Sequence, residues 1–239
     1  MRLTADLLAT DSSLPLRDEQ GVIRVTLWRH AARWKCSDAV LDFRVLGCEE
    51  IALPEPEPTE PVVGALARLL RWTRGAGTLI MLANPNEAVG VEHIPVTEGV
   101  RLFGVSTEAD VRCWDALLST GQPVYGVAGT ATLEVQSLKP TSAISALAYG
   151  LFTSDCGLTL TGLHEDRTGV VYACDRPTTA NVIIRGGFEG GELKGAAGEQ
   201  VAWKDRGNEG YARLAIYDEA GNFCLTQPRF IVQARPAHG

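Results

Sequence analysis

The sequence predicts an α/β fold in which a parallel sheet is followed by a run of antiparallel strands. Apolar residues in segment 111–118 recur with the spacing of one helix face, and Gly121 is placed to end that helix. The segment 123–129, PVYGVAG, follows as a short apolar run, which is typical of a strand buried on both faces. From Gly157 onward the apolar period changes from 3.6 to 2, and turn residues separate the segments, as in antiparallel sheets.

Segment 62–77 predicts an amphipathic helix that precedes a buried strand, Leu79–Leu82. Its leucines share one face, while Arg68, Arg71 and Arg74 lie elsewhere. The sequence leaves two interpretations of these arginines open. They form an anion site, or they are solvated charges that complement the helix dipole, and the second is the simpler interpretation.

Other elements follow from the same patterns. The run 22–28 predicts a β-branched strand, and 141–152 predicts a helix with an apolar stripe. Between them, the alternating Pro and Glu of segment 54–61 predict an extended, charged connector. None of these segments contains a phosphate-binding loop, a serine nucleophile elbow or an H-E-x-x-H zinc motif.

Composition excludes several classes of protein. The chain has 239 residues and a formal net charge of −7, without a basic block of the kind that binds nucleic acid. No apolar run approaches the roughly 20 residues that span a bilayer. The N-terminal segment carries Asp6 and Asp11, unlike a secretion signal, and the six cysteines are scattered without a C-x-x-C pair. We therefore expect a cytoplasmic protein with reduced thiols, and no nucleic-acid or membrane partner.

Four segments resemble the polymerase and histidinol phosphatase (PHP) superfamily of metal-dependent phosphoesterases. Segment 114–133, WDALLSTGQPVYGVAGTATL, is similar to the last barrel segment of that family, and 79–86, LIMLANPN, is similar to its A-H-P-N strand end. Segments 145–157 and 209–232 resemble the helix and closing hairpin of its C-terminal extension. The resemblance implies a distorted PHP-like (β/α) barrel over residues 1–152 and a C-terminal antiparallel β extension, packed on the barrel, over residues 153–239.

The same alignment implies that the metal ligands of the family are lost. Five ligand positions of the family fall on residues without imidazole or carboxylate: Leu8, Thr10, Asn84, Ala131 and Leu133. Glu49 falls on the one ligand position that keeps a carboxylate. A divalent cation needs several oxygen or nitrogen donors in one shell, so we expect neither a bound metal nor another cofactor.

The sequence therefore predicts a non-catalytic PHP-like protein that binds a small ligand or a protein partner at its strand ends. The expected pocket residues share a position at or beside a predicted strand end: Asp6, His30, Glu49, Asn84 and Thr130. The alternative is a metal-dependent phosphoesterase that holds Mn, Fe or Zn through displaced ligands. Those ligands would come from Asp6, Asp11, His30, Glu49, Glu92 and His93. The sequence does not predict the oligomeric state.

Overall fold

The computed structural model describes most of the chain. The described residues are 2–6, 13–18, 24–47, 52–55, 57–76, 78–88, 99–128, 132–136, 143–158, 160–166 and 168–231, with backbone alone over 2–6, 13–18, 24–30, 75–76, 132–136 and 143. The helices in this part of the chain are α1 (Val62–Ala76), α2 (Pro85–Ala88), α3 (Glu108–Ser119) and α4 (Ala143–Ala148).

The described strands follow the chain in seventeen short segments. Their bounds are β1 (Arg2–Asp6), β2 (Ser13–Asp18), β3 (Arg24–Lys35), β4 (Val40–Gly47), β5 (Leu79–Leu82), β6 (Leu102–Val105), β7 (Tyr125–Ala128), β8 (Thr132–Gln136), β9 (Phe152–Cys156), β10 (Leu160–Asp166), β11 (Gly169–Cys174), β12 (Thr178–Ile184), β13 (Phe188–Gly195), β14 (Gln200–Lys204), β15 (Tyr211–Tyr217), β16 (Phe223–Leu225) and β17 (Arg229–Phe230). The expected boundary between residues 152 and 153 lies inside β9.

The prediction of a PHP-like (β/α) barrel is wrong. The described residues are mostly strand, and these strands form an open fourteen-stranded sheet and a three-stranded sheet, β10–β11–β14. Among the described strand pairs, β5–β6 and β6–β7 are parallel and the others are antiparallel. A (β/α) barrel needs parallel strands with a helix after each one, and within the described part of the chain that pattern occurs only from β5 to β7.

The chain between β3 and β5 shows the physical reason for this difference. Four residues join β3 to β4, too few for the crossover that parallel strands require, so the two strands form a hairpin. The Asp38 carboxylate in that turn accepts the Val62 N–H at 2.8 Å and fixes the start of α1 there. Helix α1 therefore begins near the start of β4. Strand β5 then starts beside the end of β4 and runs antiparallel to it.

The predicted elements around the parallel strands are confirmed. Helix α1 occupies the predicted segment, α3 covers 111–118, and β5 and β7 are buried at every residue. The apolar side chains of α1 and α3 form one core with these strands. A second apolar core lies between the three-stranded sheet and strands β12, β15 and β16. Antiparallel strands also occupy the predicted C-terminal segments.

Side chains, rather than another strand, bond the outer edge of β7. The Gln227 amide accepts the Gly126 N–H at 2.9 Å and donates to the Gly126 carbonyl at 3.0 Å. The Ser154 hydroxyl accepts the Ala128 N–H at 2.8 Å. Because these buried backbone groups are satisfied by side chains, β7 lies beside β9 without a described ladder between them, and the sheet remains open.

A buried charged network fixes α3 to β15. The Arg213 guanidinium donates two hydrogen bonds to the Asp115 carboxylate, at 3.0 and 2.8 Å, and the Tyr211 hydroxyl donates a third at 2.8 Å. Arg213 also stacks on the Trp114 ring at 4.5 Å. Burial first, and then the negative charge of Asp115, raises the pKa of Tyr211, so its hydroxyl remains a donor at neutral pH.

No helix in the described residues combines the length and the apolar character needed to cross a membrane.

Candidate functional site

The structure describes only some of the predicted pocket residues. Asp6 pairs with Thr132 across β1 and β8, whereas His30 pairs with Val45 across β3 and β4. The side chains of Asp6 and His30 lie outside what the structure describes. Glu49 and Thr130 lie outside the described residues altogether, as do Asp11, Glu92 and His93 of the alternative ligand set. Asn84 is therefore the one predicted pocket residue whose side chain is described.

Asn84 lies two residues after the end of β5, and its side-chain amide forms hydrogen bonds with β4. Its Oδ1 accepts the Asp42 N–H at 3.1 Å, and its Nδ2 donates to the Val40 carbonyl at 3.4 Å and to the Glu87 carboxylate at 3.1 Å. The side chain therefore prolongs the β4–β5 pairing beyond the end of β5. This use of the amide is structural, and its polar atoms point at partners within the protein.

The next strand end is also engaged in hydrogen bonds within the protein. Thr107 caps α3, and the Asp110 carboxylate accepts both the backbone N–H and the hydroxyl of Thr107, at 3.0 and 2.8 Å. The same carboxylate accepts the Asn86 N–H at 3.4 Å. The described polar groups at the carboxyl ends of β5 and β6 thus stabilise the turns that carry them.

A cavity among the described residues lies at the opposite, amino-terminal ends of the parallel strands. Its volume is about 500 Å³, and its walls are the last turn of α1, the approaches to β5, β6 and β7, and the residues after α3. The apolar part of the lining includes Leu70, Ile80, Val100 and Pro123. We call this space the basal cavity.

Two guanidinium groups give the basal cavity its charge. Arg74 comes from the last turn of α1, and Arg101 comes from the residue before β6. The Arg101 Nη1 donates to the Pro123 carbonyl at 3.2 Å, which fixes that guanidinium at the cavity wall. Among the described residues, neither arginine forms an ion pair, and no Asp or Glu belongs to the described lining.

A glycine and a threonine complete the polar part of the basal cavity. Gly99 has a φ of +104°, and a Cβ there would lie 3.5 Å from Nη2 of Arg74, so the guanidinium lies against bare backbone. The Thr78 hydroxyl is buried, and no described group bonds it. A buried hydroxyl without a partner is unfavourable by about 1–3 kcal/mol, so a polar ligand atom beside Thr78 would be stabilising.

The sequence contained only part of the signal for this cavity. The sequence indicates Arg74, because an anion site is one of the two interpretations of the α1 arginines. Arg101 and Thr78 carry no motif, and they line the same cavity as Arg74 because β5 and β6 are adjacent and parallel. Ligands usually bind at the carboxyl ends of parallel strands, and the sequence therefore predicts a pocket at the other end of the sheet.

A buried thiol lies beside a carboxylate in another part of the fold. The Cys224 thiol donates to the Asp155 carboxylate at 3.0 Å, and burial, followed by the charge of Asp155, raises the pKa of Cys224 well above its usual value. This thiol therefore stays protonated and is a poor nucleophile. Across the described residues, no three His, Cys, Asp or Glu side chains converge as a cation site.

No family model, no curated protein and no solved structure matches the chain. The resemblance to PHP phosphoesterases therefore rests on the sequence motifs alone and stays a prediction.

Proposed function

We propose that this protein is a small-molecule binding protein and that its ligand occupies the basal cavity. The volume of the cavity, about 500 Å³, carries this proposal. Sites for small molecules typically measure about 300–1,000 Å³ and combine an apolar lining with a few fixed polar groups. The basal cavity has this composition, with an apolar lining and the side chains of Arg74, Arg101, Thr78 and Gln122 as its polar groups.

The elements around the cavity favour a preformed site. Its floor is the start of buried strands, and α1 is fixed at its first turn by Asp38. Helix α3 is fixed by the buried Asp115–Arg213 pair. A site on such elements loses little conformational entropy when a ligand binds, because its walls are already ordered.

The side chains in the described lining favour binding over acid–base catalysis. They supply guanidinium, hydroxyl and amide groups, and none of them is a carboxylate, an imidazole or a thiol. General acid–base catalysis uses groups that exchange a proton near neutral pH, which arginine, threonine and glutamine do not. The alternative of a metal-dependent phosphoesterase has no described observation in its favour.

The proposal includes a cytoplasmic location and excludes nucleic acid and membrane as partners. Cys36, Cys174 and Cys224 are buried and form no disulfide, which fits a reducing compartment. The net charge of −7 disfavours binding to phosphate backbones and to anionic lipid surfaces.

Filling the basal cavity with a large side chain is expected to abolish binding of a small neutral probe. We choose benzamide, a planar molecule with one apolar and one polar end, and expect roughly millimolar affinity. In the wild type, benzamide should move the amide resonances of Gly99 and Gly121 in two-dimensional NMR spectra. In the Gln122→Trp variant, the indole would extend from this half-buried position into the cavity and fill the space of the probe. These shifts should then disappear.

The matched control is Ala197→Trp, which places the same side chain on an exposed turn. Benzamide should bind this variant as it binds the wild type, and thermal unfolding should confirm that both variants fold. Shifts that map to other residues, or that persist in Gln122→Trp, would contradict the proposed function.

A further inference from the structure

We propose that the ligand of the basal cavity is an organic oxyanion, a carboxylate or a phosphate ester with a short apolar group, bound between Arg74 and Arg101. This inference rests on the proposed function and specifies the chemical class of the ligand.

The described side chains that line the basal cavity carry a net positive charge. The protein carries seven more acidic than basic residues, yet the described lining contains two guanidinium groups and no carboxylate. Arginine keeps its charge at every physiological pH, so neither group can lose its charge by releasing a proton. An anion between the two guanidinium groups would supply the charge complement that the described residues do not.

The surroundings of the two guanidinium groups define their positions. The bond from Arg101 to the Pro123 carbonyl fixes one of them, while the bare backbone at Gly99 gives the other a flat surface. Both groups are planar donors whose geometry matches the oxygens of a carboxylate or a phosphate. Two such donors from different elements, α1 and the approach to β6, can contact one oxyanion from two sides.

The carboxyl ends of α1 and α3 lie at the basal cavity, and each carries a partial negative charge. The negative end of the α1 dipole partly offsets the charge of Arg74, since that arginine lies in the last turn. At the end of α3, the N–H groups of Thr120 and Gly121 bond the carbonyls of Leu117 and Leu118 and satisfy them locally. Arg101 lies on no helix. The two full positive charges of the arginines therefore exceed the partial negative charges of the helix ends.

The apolar lining distinguishes an organic anion from an inorganic one. Leu70, Ile80 and Val100 line the cavity beside the arginines, and burial of an apolar group against them is favourable. The Thr78 hydroxyl adds a buried donor near the same strand starts. An inorganic ion would fill only the polar part of the basal cavity.

Benzoate and benzamide test this inference directly, because they share shape and size and differ in charge. We expect benzoate to bind the wild type about tenfold more tightly than benzamide, as measured by NMR titration. Arg74→Gln and Arg101→Gln should each remove most of this preference, measured as the ratio of the benzoate and benzamide affinities within the same variant. Raising the ionic strength should weaken benzoate alone. Phenyl phosphate serves as a second anion, and its affinity relative to benzoate distinguishes a phosphate ester from a carboxylate.

The matched control is Arg71→Gln, which removes the same charge from an exposed position on the same helix outside the cavity. This variant should keep the full preference for benzoate. Equal affinities of benzamide and both anions would overturn the inference while the proposed function stood. A loss in Arg71→Gln as large as that in Arg74→Gln would overturn it too, because the effect would then be a general field. Binding of none of the three probes would contradict the proposed function itself.

Discussion

Replacing Asp115 by alanine is expected to lower the free energy of unfolding by about 3–5 kcal/mol. The substitution leaves the buried Arg213 guanidinium without its counter-ion and removes the acceptor of the Tyr211 hydroxyl. Arg213 is only 4% exposed, so water cannot replace the lost carboxylate without opening the interface between α3 and β15. Urea unfolding followed by circular dichroism measures the loss.

The control is the double variant Asp115→Leu with Arg213→Met. It removes both charges and keeps apolar volume in the interface, so we expect it to recover most of the stability that Asp115→Ala loses. A loss below about 1 kcal/mol in Asp115→Ala would place this pair among exposed ion pairs and contradict the description of the network as buried.

Replacing Gln227 by leucine is expected to destabilise the protein by about 2–4 kcal/mol. The side chain keeps a similar size, but the N–H and the carbonyl of Gly126 both lose their hydrogen-bond partner at the edge of β7. Unfolding in urea measures the change in free energy. Hydrogen exchange at the Gly126 amide should also accelerate in this variant, whereas exchange at Val170 on β11 should not change beyond the general loss of stability.

The Gln227→Glu variant gives a matched test that depends on pH. A protonated carboxyl keeps one donor and one acceptor, so it can replace the amide, while an ionised carboxylate has no donor for the Gly126 carbonyl. Folding therefore raises the pKa of the introduced carboxyl, and the stability that it contributes is lost as pH rises through that folded-state pKa. Equal stability of this variant and the wild type across that pH range would contradict the account.

Several elements that the sequence predicted correctly have an apolar pattern that is complete within one segment. Helices α1 and α3 and strands β5 and β7 are of this kind, because each packs its whole apolar pattern into one core. The antiparallel entry of β5 depends on the Asp38–Val62 bond between segments, which periodicity does not contain. Strand β13 was missed, since its glycines at 190 and 191 interrupt the alternation that identifies a strand.

The candidate site was less predictable than the fold for the same reason. Asn84 drew attention as a substituted ligand position, but its amide pairs with β4. Arg74 and Arg101 are 27 positions apart, and only the adjacency of β5 and β6 brings them to one cavity. Gln227 is 101 residues from Gly126, and no local pattern marks a glutamine that will complete the edge of a strand.

The most direct test of the central claim is a crystal structure of the wild-type protein soaked with 4-bromobenzoate. The anomalous signal of bromine locates the probe without assumptions about the protein. The account predicts a bromine peak inside the basal cavity, near Leu70 and Ile80, with the carboxylate between Arg74 and Arg101. A peak at the carboxyl ends of β5 and β6 beside Asn84, or an empty basal cavity at a probe concentration that saturates the NMR shifts, would contradict it.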